Sequence, residues 1–116
     1  MSERAVFPIF VFEGNDLSLF DSFDAMVTGL EGVDVEDGAY KAYDSCGRAV
    51  VMEAQGVVRG RFVVEIGTVT VRGVDEVSSV DLFESDLRSF LQAYGETPAA
   101  ELPIEDLVRA CIKRAR

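Results

Sequence analysis

The sequence predicts an α+β fold, a mainly antiparallel sheet of about four to five strands packed by two or three helices. Three features carry this expectation. Residues 5–12 form an almost unbroken apolar run rich in β-branched and aromatic side chains, the pattern of a strand buried on both faces. Residues 39–45 and 48–54 are extended runs separated only by Cys46 and Gly47, as in a tight hairpin. Towards the C-terminus, two segments repeat apolar residues at helical spacing, which gathers them on one face. A chain of 116 residues has room for a single domain spanning 1–116. Its composition, 48% hydrophobic and 28% charged, is that of a globular protein rather than a disordered or disulfide-dense one.

The elements follow in order. Pro8 has no amide hydrogen to give to a ladder, which pushes the first strand towards a sheet edge or a bulge. Glu13-Gly14-Asn15-Asp16 supplies turn chemistry. Across residues 21–30, Phe23, Met26, Val27 and Leu30 fall on one helical face. Asp21 or Ser22 can cap this helix, and Gly29 and Gly32 can stop it. Residues 33–38 read as a loop leading into a strand. In the hairpin, Tyr40 and Ala42 share a face opposite Lys41 and Tyr43, while Val50 and Met52 lie opposite Ala49 and Val51. One side should pack and the other be mixed. Residues 57–74, punctuated by Gly60, Gly67 and Gly73, predict two further strands at 61–66 and 68–72, and 75–79 reads as a polar connection.

A helix is expected over 80–94, where Leu82, Phe83, Leu87, Phe90, Leu91 and Tyr94 make a stripe broken only by Asp86. Ser79 or Asp81 can cap it, and Gly95 followed by Pro98 ends it. The last helix is expected over 103–113. Pro103 suits its first turn, Glu105 and Asp106 meet its positive end, and Lys113 and Arg114 its negative end. Its apolar face is Ile104, Leu107, Val108, Cys111 and Ile112.

Charge narrows the function classes. With 11 Lys and Arg against 21 Asp and Glu, the net charge is −10 and the sequence pI about 4.3. Such a surface repels polyphosphates and anionic membranes, so neither nucleic acid nor membrane is the expected partner. No run reaches the ~20 apolar residues of a membrane span. Residues 1–12 lack the pattern of a signal peptide, and a cytoplasmic location is expected. Cys46 and Cys111 show neither a metal-knuckle nor a dithiol spacing and read as free thiols.

The chain contains no histidine, which removes Ser-His-Asp and Cys-His catalysis and His-containing zinc sites. Its glycines form neither a P-loop nor a dinucleotide fingerprint. Asp34, Glu36, Asp37 and Asp44 have the oxygen chemistry of a hard-cation site. Their spacing is not that of an EF-hand loop, and a solvated loop explains them without a metal. Arg48, Arg59, Arg61 and Arg72 could gather on one sheet face to hold an anion, but the preferred reading is that they offset the acidic surface through screened ion pairs. Phe7, Phe10, Phe12, Tyr40, Tyr43 and Phe62 read mainly as sheet core. An enzyme built from this sequence would have to act through carboxylates, Cys46 or a metal, and none of these motifs supports one; no cofactor is expected.

The acids are unevenly spread. Through Gly47 there are ten (Glu3, Glu13, Asp16, Asp21, Asp24, Glu31, Asp34, Glu36, Asp37, Asp44) against two bases (Arg4, Lys41), so this part carries −8 of the −10. A concentrated acidic face suits docking on a basic protein, as nuclease inhibitors present carboxylates to a phosphate-binding surface. Asp34, Glu36, Asp37 and Asp44, with Tyr40 and Tyr43, are the candidate partner-binding residues.

The stretch 33–48 (VDVEDGAYKAYDSCGR), preceded by Leu17-Ser18-Leu19-Phe20-Asp21-Ser22, resembles small bacterial proteins without an assigned activity, some grouped with immunity-type proteins. The likeness covers about half the chain and leaves out its C-terminal helices. It implies a toxin-neutralising role without catalytic residues; together with the charge asymmetry the expectation is a non-enzymatic binding protein of immunity type that meets a basic toxin. The alternative is a house-keeping or regulatory domain whose acidity serves solubility and which forms a homodimer.

Overall fold

The computed structural model describes residues 4–59, 64–65 and 67–116. In chain order the elements are β1 (Ile9–Glu13), β2 (Asp16–Phe20), α1 (Phe23–Gly29), α2 (Gly32–Glu36), β3 (Lys41–Tyr43), β4 (Arg48–Gln55), β5 (Val58–Arg59), β6 (Val64–Glu65), β7 (Thr68–Ser78), α3 (Val80–Ala93) and α4 (Ile104–Ala115). Five strands form an antiparallel sheet in the order β2-β1-β3-β4-β7, and β5 and β6 pair as a separate ribbon. The fold is the α+β arrangement that the sequence predicts.

The strand at β1 is apolar throughout because both its faces are covered. Phe10 and Phe12 point into a core with Tyr43, Phe83, Leu87, Phe90, Leu91, Leu107 and Cys111. Ile9 and Val11 point into a second core with Met26, Leu30, Ala42, Val50, Val69 and Val74. The sheet therefore lies between α3 with α4 on one side and α1 with α2 on the other. Pro8 does not force β1 to an edge. The strand starts one residue later and is interior, between β2 and β3, so the missing amide hydrogen falls outside the ladder.

Gly14 turns β1 into β2. It occupies the first central position of a two-residue hairpin loop, between the paired Glu13 and Asp16, at φ 57°, a value that excludes most side chains. The sequence predicts no element over 16–20, where β2 forms. The alternation of Leu17 and Leu19 with Ser18 was the available signal, and both leucines pack on the α3/α4 core.

Ser22, rather than Asp21, caps α1: its Oγ accepts from Ala25 N–H at 3.0 Å. Residues 33–38, expected as a loop, instead carry most of α2. Glu31 C=O accepts from Asp34 and Val35 N–H, and Gly38 and Ala39 N–H close the C-terminal end on Val35 and Asp34 C=O. That short helix holds residues up to Tyr40 out of the sheet, so the strand expected over 39–45 is cut to Lys41–Tyr43. The predicted facing holds: Tyr40 and Ala42 serve the α1/α2 core and Tyr43 the α3/α4 core.

The 75–79 connection is also revised, since β7 runs on to Ser78, paired with Arg48. Its last residues, Asp75, Glu76, Val77 and Ser78, are all exposed, because they border no core. The strand expected over 61–66 lies largely outside the described residues, as do Arg61 and Phe62. In α3, Phe83, Leu87, Phe90 and Leu91 are buried as the stripe predicts. Leu82 and Tyr94 are not; Leu82 is 64% exposed. The helix is narrower in its contact with the sheet than its apolar residues suggest. In α4, Leu107 and Cys111 are the buried pair.

This distinction is measurable. Leu87→Ala should lower unfolding free energy by about 3 kcal/mol through the cavity it leaves, whereas Leu82→Ala should change it by no more than about 0.5 kcal/mol. Urea denaturation of the two variants compares them directly.

Candidate functional site

Asp44 lies at the end of β3, where the chain reverses through Ser45, Cys46 and Gly47 into β4. Gly47 adopts φ 79° and a Cβ there would meet the Cα of Val80 at 3.0 Å, so both the turn and the approach of α3 require glycine. The Asp44 carboxylate is fully buried and folds back over this turn. Its Oδ1 accepts from Cys46 N–H and Arg48 N–H, each at 3.0 Å. Its Oδ2 accepts from Val6 N–H at 3.2 Å and from Arg48 Nε and Nη2 at 3.0 and 2.7 Å. This saturates the carboxylate's acceptor sites. The interaction pushes the Arg48 guanidinium above its ordinary pKa, chiefly through the hydrogen bonds to Asp44.

The clasp also ties down the segment before β1. Arg48 Nη2 donates to Arg4 C=O at 2.8 Å, Ser45 N–H to Val6 C=O at 2.8 Å, and Ser45 Oγ to Pro8 C=O at 2.8 Å. On the other side, Gly47 C=O accepts from Ser79 N–H at 2.9 Å, at the start of α3. Asp44 is thus corrected from an exposed docking acid to an internal one, because the turn and the segment before β1 together offer its carboxylate three backbone donors and a guanidinium.

Tyr43 is corrected in the same way. It is 5% exposed, its ring packs against Phe12 and Phe83, and its hydroxyl donates to Asp86 Oδ2 at 2.7 Å. Burial, then the Asp86 hydrogen bond and charge, push its phenol well above the ordinary value. Asp86 also lies 3.6 Å from Lys41 Nζ. The carboxylate that interrupts the α3 stripe is there to receive Tyr43, a role that only the pairing of β1 with β3 makes visible.

The remaining candidates stay together. Asp34 and Glu36 lie on α2, and Asp37 follows it directly; Glu36 and Asp37 are exposed, Asp34 half-buried. Tyr40 Oη donates to Asp34 Oδ2 at 3.3 Å. Burial and the Asp34 charge push the Tyr40 phenol up, against the backbone N–H of Glu31, which favours the phenolate. The Tyr40–Asp34 bond fixes one carboxylate of the group in place. Asp44 is not near enough in role to complete a cation site with them, since its oxygens are taken, and among the described residues no three potential ligands gather round a point.

Of the expected arginine face, Arg48 belongs to the clasp and Arg72 pairs with Glu53 at 2.7 Å, holding that carboxyl below its usual range. Arg61 lies outside the described residues. Two concavities remain of interest. A groove of about 380 Å³ runs between the 44–47 turn and the two C-terminal helices, lined by Val80, Phe83, Ile104 and Val108 with Cys46 at its rim. A cleft of about 250 Å³ separates β3 from β4 and has Tyr40, Tyr43, Ala49, Met52 and Leu82 among its lining residues. Both are largely apolar, and neither gathers the convergent ionisable groups of an acid–base site.

No helix among the described residues is long and apolar enough to cross a membrane. No protein-family model, curated protein or solved structure matches the chain.

Two outcomes test this geometry. Asp44→Asn should destabilise the fold by roughly 2–3 kcal/mol, the scale of hydrogen bonds to a charged group, and speed amide exchange at Val6 and Cys46; native-state exchange measures both. The second concerns the cysteines. Burial pushes the Cys111 thiol up to about 12, so at pH 8 iodoacetamide should modify Cys46 alone in the folded protein and both thiols in urea, as mass spectrometry would show. Because the folded value is the raised one, the unfolded chain loses this proton first. Stability should fall as pH climbs from about 9 towards about 12, and Cys111→Ala should flatten the first part of that fall.

Proposed function

We propose that this chain is a non-enzymatic, cytoplasmic binding protein of immunity type that neutralises a basic toxin by docking on it through the α2 region. The observation that carries this reading is the charge asymmetry, −8 of −10 within the first 47 residues. Within that part, Asp34, Glu36, Asp37 and Tyr40 are held on one short helix and the strand entry that follows it. A negative field of this kind raises the encounter rate with a positive partner. The Tyr40–Asp34 hydrogen bond supports the reading, because an ordered carboxylate loses less conformational freedom on docking than a free one.

A self-associating house-keeping domain is the second reading. It is favoured by Val77 and Leu82, exposed by 73% and 64%, since large apolar side chains left in water at one junction suit a contact between copies.

Affinity capture at low and then high salt, followed by identification of the retained protein, separates the two. A stoichiometric basic protein that is released by salt supports the first. Against that partner, the double variant Asp34→Asn with Asp37→Asn should lower the association rate about tenfold at low ionic strength and leave the melting temperature nearly unchanged. An unchanged rate in stopped-flow mixing, or a chain that retains nothing and sediments as a dimer, would point to the second.

A further inference from the structure

The negative charge of the chain reverses along α4. Residues 107–116 hold Arg109, Lys113, Arg114 and Arg116 and no acid, four of the 11 cations in a protein of net charge −10. Beside the second half of this helix and the short helical turn Ala99–Glu101 lies a further hollow, of about 400 Å³, lined by Glu96, Ala99, Ala110, Lys113, Arg114 and Arg116. The helix dipole favours cations in a last turn, which accounts for their presence but not for a concavity among them. Ala99 and Ala110 pack on the α3/α4 core, and because their methyl groups reach no further, room is left between the longer cationic side chains.

The three cations around the hollow are held differently. The Arg114 guanidinium lies 4.6 Å from the centre of the Tyr94 ring, a cation–π contact. Tyr94 is itself anchored, by Phe90 at 5.0 Å between ring centres and by donation from its hydroxyl to Asp16 Oδ1 at 3.3 Å. Arg114 Nε is 3.8 Å from Glu96 Oε2, too far for a direct hydrogen bond, so an acceptor that came closer would be preferred. Arg116 Nη2 donates to Asp21 Oδ1 at 2.9 Å, but both side chains are largely exposed and such a pair is weak. Lys113 is exposed and makes no ion pair among the described residues.

Cations around a hollow floored by alanines suit an anion. Donors on three separate side chains match a tetrahedral oxyanion, which accepts from several sides and pairs with Arg and Lys alike. The volume lies within the range of small-molecule sites and exceeds a bare ion. The rest of the chain restricts the choice, because its negative field repels extended polyanions and anionic surfaces. We infer that the hollow binds the phosphate group of a small, soluble phosphate ester, with the phosphate against Lys113, Arg114 and Arg116 and the organic part over Ala99 and Ala110. Glu96 and the negative end of α4 oppose the anion, but three full positive charges outweigh one carboxylate and a partial charge. The site is on the opposite side of the sheet from α2, and it does not depend on the docking function proposed above.

The test is a chemical-shift titration of the full, isotopically labelled chain with phenyl phosphate, set against benzoate and sodium chloride at matched ionic strength. Phenyl phosphate should give saturable shifts at the Ala99, Ala110, Lys113 and Arg114 amides, and benzoate should bind at least about fivefold more weakly. Lys113→Gln should weaken phenyl phosphate binding about fivefold and Glu96→Gln should tighten it about threefold, the scale of single exposed charges. Arg72→Gln, which makes the same change in net charge on β7 as Lys113→Gln makes on α4, should leave the affinity unchanged. The absence of saturable shifts overturns the proposal, as do shifts that chloride reproduces or an equal loss in Lys113→Gln and Arg72→Gln. Benzoate that binds as tightly as phenyl phosphate overturns the assignment to phosphate. Sedimentation with vesicles of phosphatidic acid and phosphatidylcholine separates a free ester from a lipid headgroup. The protein should stay in the supernatant, and co-sedimentation that Lys113→Gln abolishes would overturn the soluble ligand.

Discussion

The buried Asp44 carboxylate holds together parts of the chain that are far apart in sequence. Three backbone amides and one guanidinium converge on its two oxygens, and those donors belong to the segment before β1, to the 44–47 turn and to the start of β4. A carboxylate removed from water is tolerated only when its acceptor capacity is filled. Here the filling also fixes the hairpin, the entry into β1 and, through Gly47 C=O and Ser79 N–H, the point at which α3 begins. The position of α3 decides which residues meet the first core, and that core covers one face of β1.

A second consequence runs through α2. By forming a helix where the sequence alternates, residues 32–36 shorten β3 and set α2, in place of a longer strand, against β4. The same short helix displays Asp34 and Glu36, with Asp37 just beyond it. Fold irregularity and charged display therefore share one origin, the competition between local helix bonds and the sheet ladder for residues 32–40. Functional surfaces commonly sit where such local and global preferences disagree.

The reading of the sequence succeeded where periodicity was long and the environment simple. The α3 stripe, the burial of β1 on both faces, the hairpin at Cys46-Gly47 and the opposite facing of Tyr40 and Tyr43 all follow from spacing alone. It failed at 33–38, where alternation favoured extended chain over a helix secured by backbone bonds from Glu31 to Ala39. It also failed at β2, where five residues carry a weak pattern, and at the end of β7, where exposed, mostly polar residues belong to a strand because Arg48 pairs with Ser78.

For the candidate site, composition by itself determined the sign and uneven distribution of charge, the absence of histidine and the classes of chemistry these disfavour, because those are properties of counts and not of positions. Only the tertiary structure decided which acids face water. Asp34, Glu36, Asp37 and Asp44 look alike in the sequence, yet Asp44 lies where a reversing backbone and Arg48 offer donors, and the other three lie on or beside a surface helix. Tyr43 and Asp86 are likewise 43 residues apart and become one hydrogen-bonded pair only when β1 pairs with β3 and α3 crosses them. Hydrogen bonding depends on where donors arrive in space, and a linear sequence does not specify those positions until the chain has folded.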